Sequence, residues 1–478
     1  MTGRCIGSGH ASFWVDQAGE CEPLQGLDQV NGFSFNLVTT DDMLICMTDM
    51  ALHAVRRFGF GRRGSEALPD DVHGWLRSQL DAPDPLLGRP GPTMLNTALV
   101  ARRFAEAQKA KEPLPGGFSG LFTEEMTASL KYAVSTDLPL RERLVWFWAN
   151  HFTVSARGGP WSFGLNGTYV HEAIRPHVTG RFADMVKAVM RHPAMLDYLD
   201  NTHSIGPDSP IGLKQHRGIN ENLARESLEL HTLGIQAGYT QRDVIAYAGM
   251  LSGRMMNTEG ASPGFVYRAD AHEPGPETVF GHTFPDGLEG SEDALEWIAD
   301  HPATRRHIAN QLVQHFVADV PPPKCVERLE AVLRDTGGDL KAAMLAIIDM
   351  PEAWQPLTKF RAPAEYIIAV QRALDLPFEP GPGLLDATND LGQPFRNPLL
   401  PNGWPDTAAD WVAGEPLLKR ADWAMTQALR PNAPSADAVA SATLGELYSS
   451  TTRAAVTQCP NRTEALATLF ASPEFLRR

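Results

Sequence analysis

From Met50 onward the chain repeats one local pattern, and that pattern narrows the choice of fold class. Apolar residues recur at helical spacing, and each run is opened or closed by a capping residue, Pro or Gly. Residues 51–61, ALHAVRRFGFG, form such a run and stop at glycine. Pro69-Asp70-Asp71 opens a second run through Leu80, with acidic residues in the first turn where the helix dipole favours them. Segments 93–111 and 123–134 follow as amphipathic helices. Leu138-Pro139 starts another, and its later half, 144–152, is apolar almost all round. A helix of that kind belongs inside a protein.

The series continues at 164–178, 182–191 and 194–200, and then a polar loop spans 201–217. Helices at 220–234 and 240–251 come next, the latter opened by Thr240 and Asp243 as an approximate capping box. Further helices fall at 291–299, 302–317, 325–336, 340–349, 362–374, 415–429, 438–449 and 462–471. Pro363 and Glu365 read as an ordinary helix start. One hairpin is expected, from 265–268 and 278–280 around the turn residues His272-Glu273-Pro274-Gly275. The Gly/Pro-rich stretch 377–411 holds Phe395, Trp404 and Trp411, so it packs down as an ordered loop. The expectation is a mainly α fold: a large, irregular multi-helix domain with one short β-hairpin.

Residues 1–46 lack a sustained period and are rich in Gly and Ser. They read as a poorly structured leader, with Met47 or Met50 as alternative starts. Residues 47–478 then form a single helical domain, with a sub-boundary near 280 as the alternative. The net charge of −15 disfavours nucleic acid and anionic lipid as partners. No apolar run approaches the roughly 18 residues that span a bilayer. The five cysteines are scattered without a C-x-x-C pair, which argues against a thiolate zinc site. Sparse cysteines and the lack of an export signal at the N-terminus point to the cytoplasm.

The segment 220–234, NENLARESLELHTLG, is unusually polar for a helix. Projected at 100° per residue, Leu223, Ala224, Leu228 and Leu230 share one half, with Asn220 and His231 among them. Asn222, Arg225, Glu226 and Glu229 occupy the other half. One reading is a solvated surface face with one core histidine. The other is a site. Glu226 and Glu229, at i and i+3, can reach one divalent metal ion, or one can act as a base while Arg225 holds a substrate anion. The paired Glu-x-x-His signature of di-metal bundles is absent. His151 lies among apolar residues of its helix, either as a hydrogen-bonded core residue or as a neutral base at the bottom of a pocket. Its neighbours in sequence supply further polar groups, Arg175 and His177 among them. His315 sits near a helix end, where a protonated ring complements the dipole. No nucleophile elbow, phosphate-binding loop, H-E-x-x-H or dinucleotide fingerprint occurs.

Several segments together resemble one family: AVRRFGFG (54–61), WFWANHFTVS (146–155), HPAMLDYLDN (192–201), NENLARESLELHTLG (220–234) and HEPGPETVFG (272–281). To these add HPATRRHIANQLVQHFVAD (301–319), LGQPFRNP and NGWPDTAADW (391–411) and SPEFLRR (472–478). The chain resembles the bacterial domain-of-unknown-function family 1800, in order over about residues 50–478. The resemblance implies a possible partner, a neighbouring sulfatase- or phosphatase-like protein. It also marks Arg254 as a departure, since the family usually has tryptophan there. A polar helix that is a family hallmark favours a buried network or a site over a solvated face.

Two functions follow as expectations. In the first, the protein is an enzyme performing hydrolysis or oxidation on a small polar substrate. Glu226, Glu229, His151 and His231 are its acid/base candidates. Arg225, Asn220, Asn222 and Arg175 are its substrate contacts, and Glu226 and Glu229 its metal ligands. In the second, the polar helix is a structural keystone of a non-catalytic partner or assembly factor.

Overall fold

Helix Pro139–His151 is buried along nearly its whole length, including its charged residues Arg141, Glu142 and Arg143. The all-round apolar pattern of its later half explains the interior position. The charged first half is carried in with it and must find partners there. In the computed structural model, the described residues are 47–478 apart from 65, 89–90, 92, 113–116, 157–159, 260–262, 380 and 382. The short strands Ile6–Ser8, Ala11–Val15 and Cys21–Glu22 are also described.

Contacts divide the chain into two units, Met1–Ile45 and Cys46–Arg478. The first contains the three strands, paired antiparallel in sequence order. Most of the expected leader lies outside the described residues. The second unit is mainly α-helical. Among the described residues no helix is long and apolar enough to cross a membrane.

The helix ends follow local chemistry. Asp71 caps Val72–Asp81 by accepting from Gly74 N, and Thr93 caps Met94–Ala110 by accepting from Asn96 N. Thr240 and Asp243 form a reciprocal capping box on Gln241–Leu251. The departures from the sequence reading are of three kinds. Short helices were passed over: Pro210–Gln215 in the polar loop 201–217, Gly383–Asp390 in the stretch 377–411, and Ser450–Thr457. The expected helix 164–178 is instead α over Pro160–Tyr169, π over Val170–Ile174 and 3₁₀ over Arg175–His177.

The third correction concerns the hairpin. Both expected strands exist, but they do not pair with each other. Gly264–Tyr267 pairs with Arg254–Asn257, and Glu277–Val279 pairs with His282–Phe284. The second pair closes through Phe280 and Gly281, whose φ values are 54° and 77°. Two consecutive positive φ angles suit the tight turn that matches strand twist. The turn chemistry at 272–275 serves another purpose. His272 Nδ1 bonds Ser252 O at 3.0 Å, and its Nε2 accepts from Gly287 N at 3.2 Å.

Three hydrophobic clusters form the interior. The largest is built on the segments from Ala51 to Ala353. A second gathers residues from Phe360 to Leu476. A third, smaller cluster contains Phe60, Met126, Leu130, Ile368 and Phe395. Where the three meet, Phe147 of the first, Phe395 of the third and Trp404, packed on the second, line one cavity. Junctions between packed bodies are where clefts commonly open.

Candidate functional site

The cavity has a volume of about 370 Å³. Its wall is drawn from the helices Pro139–His151, Pro302–Phe316 and Pro363–Leu374 and from the loop that runs between Gln393 and Asp410. Five of the segments that carry the family resemblance, 54–61, 146–155, 220–234, 301–319 and 391–411, therefore reach one place. The cavity wall includes the aromatic residues Trp146, Phe147, Tyr169, Phe395 and Trp404.

The loop is pinned to the buried helix by Asn150. Its Oδ1 accepts from Trp404 N at 2.8 Å, and its Nδ2 donates to Trp404 O at 2.9 Å. Gly403 precedes this contact with φ of 74°, and a Cβ there would stand 2.4 Å from Asn150 O. Only glycine lets the loop lie this close to the helix.

Beneath the aromatic wall lies a network of buried charges. Glu365 is 8% exposed and receives Arg143 on one oxygen and Arg478 Nε on the other, the latter at 3.1 Å. Arg143 also donates to Gly59 O at 2.8 and 2.6 Å. Arg478 donates to Arg57 O and His315 O. Burial alone would raise the Glu365 pKa, but Arg143 and Arg478 hold its carboxyl well below the usual range. It is therefore ionised at neutral pH.

His315 and Asp406 form the next pair. His315 Nδ1 lies 2.6 Å from Asp406 Oδ2, and Arg143 Nη1 lies 3.5 Å from His315 Nε2. Burial would raise Asp406, yet His315, Lys359 and Arg478 keep its pKa lowered, so it is a carboxylate that can only accept. Arginine can only donate. Both neighbours therefore select the neutral ring with its proton on Nδ1. Burial, opposed by Asp406 and aided by Arg478 and Arg143, lowers the His315 pKa and keeps the ring uncharged. Lys359 closes the network by pairing with Asp319 and donating to Asp406 O at 2.6 Å.

A second histidine group borders the cavity. His151 and His307 both line it. His151 Nε2 donates to His231 O and His307 Nε2 to Leu230 O, each at 3.1 Å. The acceptors are the last carbonyls of the polar segment, which a helix end leaves without intrahelical partners. Carbonyls cannot donate, so Nε2 carries the proton in both rings and Nδ1 keeps its lone pair. Burial, with His231 and His307 nearby, pushes the His151 pKa well below its ordinary value.

The polar segment itself is α-helical over Asn222–Glu226 and π-helical over Ser227–His231. His231 lies in the core at 1% exposure, on the side its projection gave it, and neither ring nitrogen has a hydrogen-bond partner among the described residues. Burial holds its pKa at about 3. Leu230, projected with the buried leucines, is half-buried instead and lines the cavity.

The remaining sequence candidates lie elsewhere. Arg225 spans Glu221 at 2.8 Å and Glu229 at 3.3 Å, and donates to Gln241 at 2.8 Å on a half-exposed face. Glu226 stands beside Tyr198, its pKa raised by burial and by Glu229. Asn220 Oδ1 accepts from the backbone of Asn222, and the Asn222 side chain is exposed. Arg175 binds Asp84 at 3.0 Å and Glu142 at 2.8 Å, a buried network behind the cavity helix. Arg254 is fully buried and pairs with Glu292 and Ser291. Arg225, Glu226, Glu229, Asn220, Asn222, Arg175 and Arg254 are all absent from the cavity lining. Among the described residues, no group of three or more His, Cys, Asp or Glu is placed to hold a metal ion.

The cavity groups Arg143, His315, Glu365, Arg396 and Asp406 were absent from the sequence candidates. Glu365 had a bland local explanation as a helix start and His315 as a dipole partner. The available signal was the set of resembling segments taken together, since several converge here.

No curated protein and no solved structure matches the chain. A family model described as "Protein of unknown function (DUF1800)" matches residues 53–477. That span is nearly the whole chain and includes every cavity residue named above, so the chain belongs to the DUF1800 family.

Proposed function

We propose that the protein is an enzyme whose cavity binds a small polar molecule and moves a proton on it with His315, positioned by Asp406. The observation that carries this reading is the 2.6 Å contact from His315 Nδ1 to Asp406 in the wall of an aromatic-lined cavity. The pair leaves Nε2 as the basic nitrogen of an uncharged ring, with Arg143 Nη1 at 3.5 Å as the donor that a substrate proton would displace. His151, which carries its proton on Nε2 and leaves Nδ1 free, is a second proton acceptor in the cavity lining. Hydrolysis and other acid–base reactions fit this arrangement.

The test incubates the purified chain with a small-molecule extract and follows depletion by mass spectrometry. Wild type should consume at least one component, and His315→Gln should not, while keeping its circular dichroism spectrum. Equal depletion by both proteins, or none by either, would sink the proposal.

A second reading applies to the polar segment. The histidine bonds to the Leu230 and His231 carbonyls favour a structural role for it. Glu226 and Glu229 then stabilise a surface, and a divalent cation held by them would need further ligands. Elemental analysis of the purified protein tests the metal. Co-purification tests the sulfatase- or phosphatase-like partner suggested by the resemblance.

A further inference from the structure

Among the polar groups of the cavity wall, Arg396 is uncommitted. Arg143, the other arginine there, is used up by Glu365, Gly59 and His315. Arg396 lines the same cavity but donates no hydrogen bond to any described group and pairs with no described carboxylate. Its Nε and Nη2 are closed off from solvent and cavity alike without a described partner, so a ligand in the cavity meets the guanidinium at Nη1. An N–H there donates a charged hydrogen bond to an oxygen of a carboxylate, phosphate or sulfate.

The backbone around it is held by hydrogen bonds from two sides. Arg396 has φ of 51°, a left-handed conformation that costs free energy for a residue with a Cβ. Asn166, itself on the wall, donates to Arg396 O at 3.3 Å and to Val154 O at 2.7 Å. Ser155 Oγ lies 2.8 Å from both Asn397 Oδ1 and Pro398 O, and its one hydroxyl proton can serve either acceptor. The guanidinium lies over the Phe395 ring at 5.0 Å. Two carboxylates stand farther off. Glu142 is taken by Arg175, and burial pushes the Glu125 carboxyl up to about 7, which leaves it half-protonated near neutrality. Burial likewise pulls Arg396 down to about 10, a cost that an anionic partner would offset.

We propose that Arg396 is the anchor for an oxyanion group of the ligand, so that the cavity takes a small molecule bearing a carboxylate, phosphoryl or sulfuryl group. This rests on the cavity being a ligand site, as in the proposed function, but not on His315 being its base.

Isothermal titration calorimetry on the full chain tests it with sodium acetate, phosphate and sulfate at constant ionic strength. Wild type should bind at least one anion saturably with one site per chain. Arg396→Gln should weaken that binding roughly tenfold or more, as expected for losing a charged hydrogen bond, and Arg396→Lys should recover part of it. Binding of acetate alone identifies a carboxylate ligand, and binding of phosphate or sulfate alone identifies a tetrahedral oxyanion. Phenylglyoxal labelling of native wild type, read by peptide mass spectrometry, serves if the variants do not fold. The binding anion should then slow modification of Arg396. No anion binding, undiminished affinity in Arg396→Gln, or labelling of Arg396 unaffected by a saturating anion would overturn the proposal. His315→Gln should keep anion binding, so loss of turnover there and loss of binding in Arg396→Gln report on different claims.

Discussion

His315 and Asp406 are 91 residues apart in sequence and 2.6 Å apart in space, with the imidazole proton held between them. The contact joins the end of the Pro302–Phe316 helix to the loop after Trp404, and it fixes which ring nitrogen is basic. Nitrogen-15 NMR should find His315 as the neutral Nδ1–H tautomer at pH 7. Its pKa should lie below 6.5, because burial outweighs the carboxylate. Asp406→Asn removes the group that raises the pKa and should lower it further. A charged ring at pH 7, or the Nε2–H form, would contradict the geometry.

Glu365 and the polar-helix carboxylates should behave oppositely on mutation. Glu365→Gln leaves Arg143 and Arg478 buried without their counter-charge. Breaking a buried pair in this way costs about 3–5 kcal/mol. Glu229→Gln touches a half-exposed pair with Arg225, for which the loss is about 0.2–1 kcal/mol. Urea denaturation monitored by circular dichroism measures both. Similar losses would refute the assignment of Glu365 to the interior network.

His231 and His53 predict the acid limb of stability. Burial lowers both from 6.5 to about 3, with Arg57 adding to the effect on His53 and His307 to that on His231. Between those values the unfolded chain binds protons that the folded chain refuses. Stability is therefore full above pH 6.5 and falls as pH drops toward 3, by up to about 1.4 kcal/mol per pH unit for each histidine. His231→Leu replaces a ring with two unpartnered nitrogens by an apolar group. It should cost little at pH 7 and flatten the melting temperature against pH below 6.5. An unchanged slope would count against a neutral, buried His231.

Gly403 should not tolerate a side chain. Gly403→Ala meets both a left-handed backbone and the Asn150 carbonyl, so a loss of about 1–3 kcal/mol is expected. The Trp404 fluorescence environment should change with it. A variant as stable as wild type would mean that the loop can leave the helix freely.

By itself the sequence determined the helical class, many of the helix starts and the interior position of the helix at 139–151. These depend on local causes: apolar periodicity, capping residues and the position of proline. It also marked His151 and the polar helix as unusual. What it could not determine was what each polar group meets. A 100° projection assumes α geometry, so the π-turn at Ser227–His231 moved Leu230 to the cavity, while His231 is buried with the leucines as projected. The hairpin partners were set by the Phe280-Gly281 turn and the His272 bonds rather than by the Pro274-Gly275 turn. Glu365, His315, Asp406 and Arg396 each look ordinary among their sequence neighbours. Their pKa values and hydrogen bonds come from residues far off in the chain, 222 positions in the case of Arg143 and Glu365. Long-range charge pairing leaves no periodicity in a chain, so the tertiary structure alone placed these groups around one cavity.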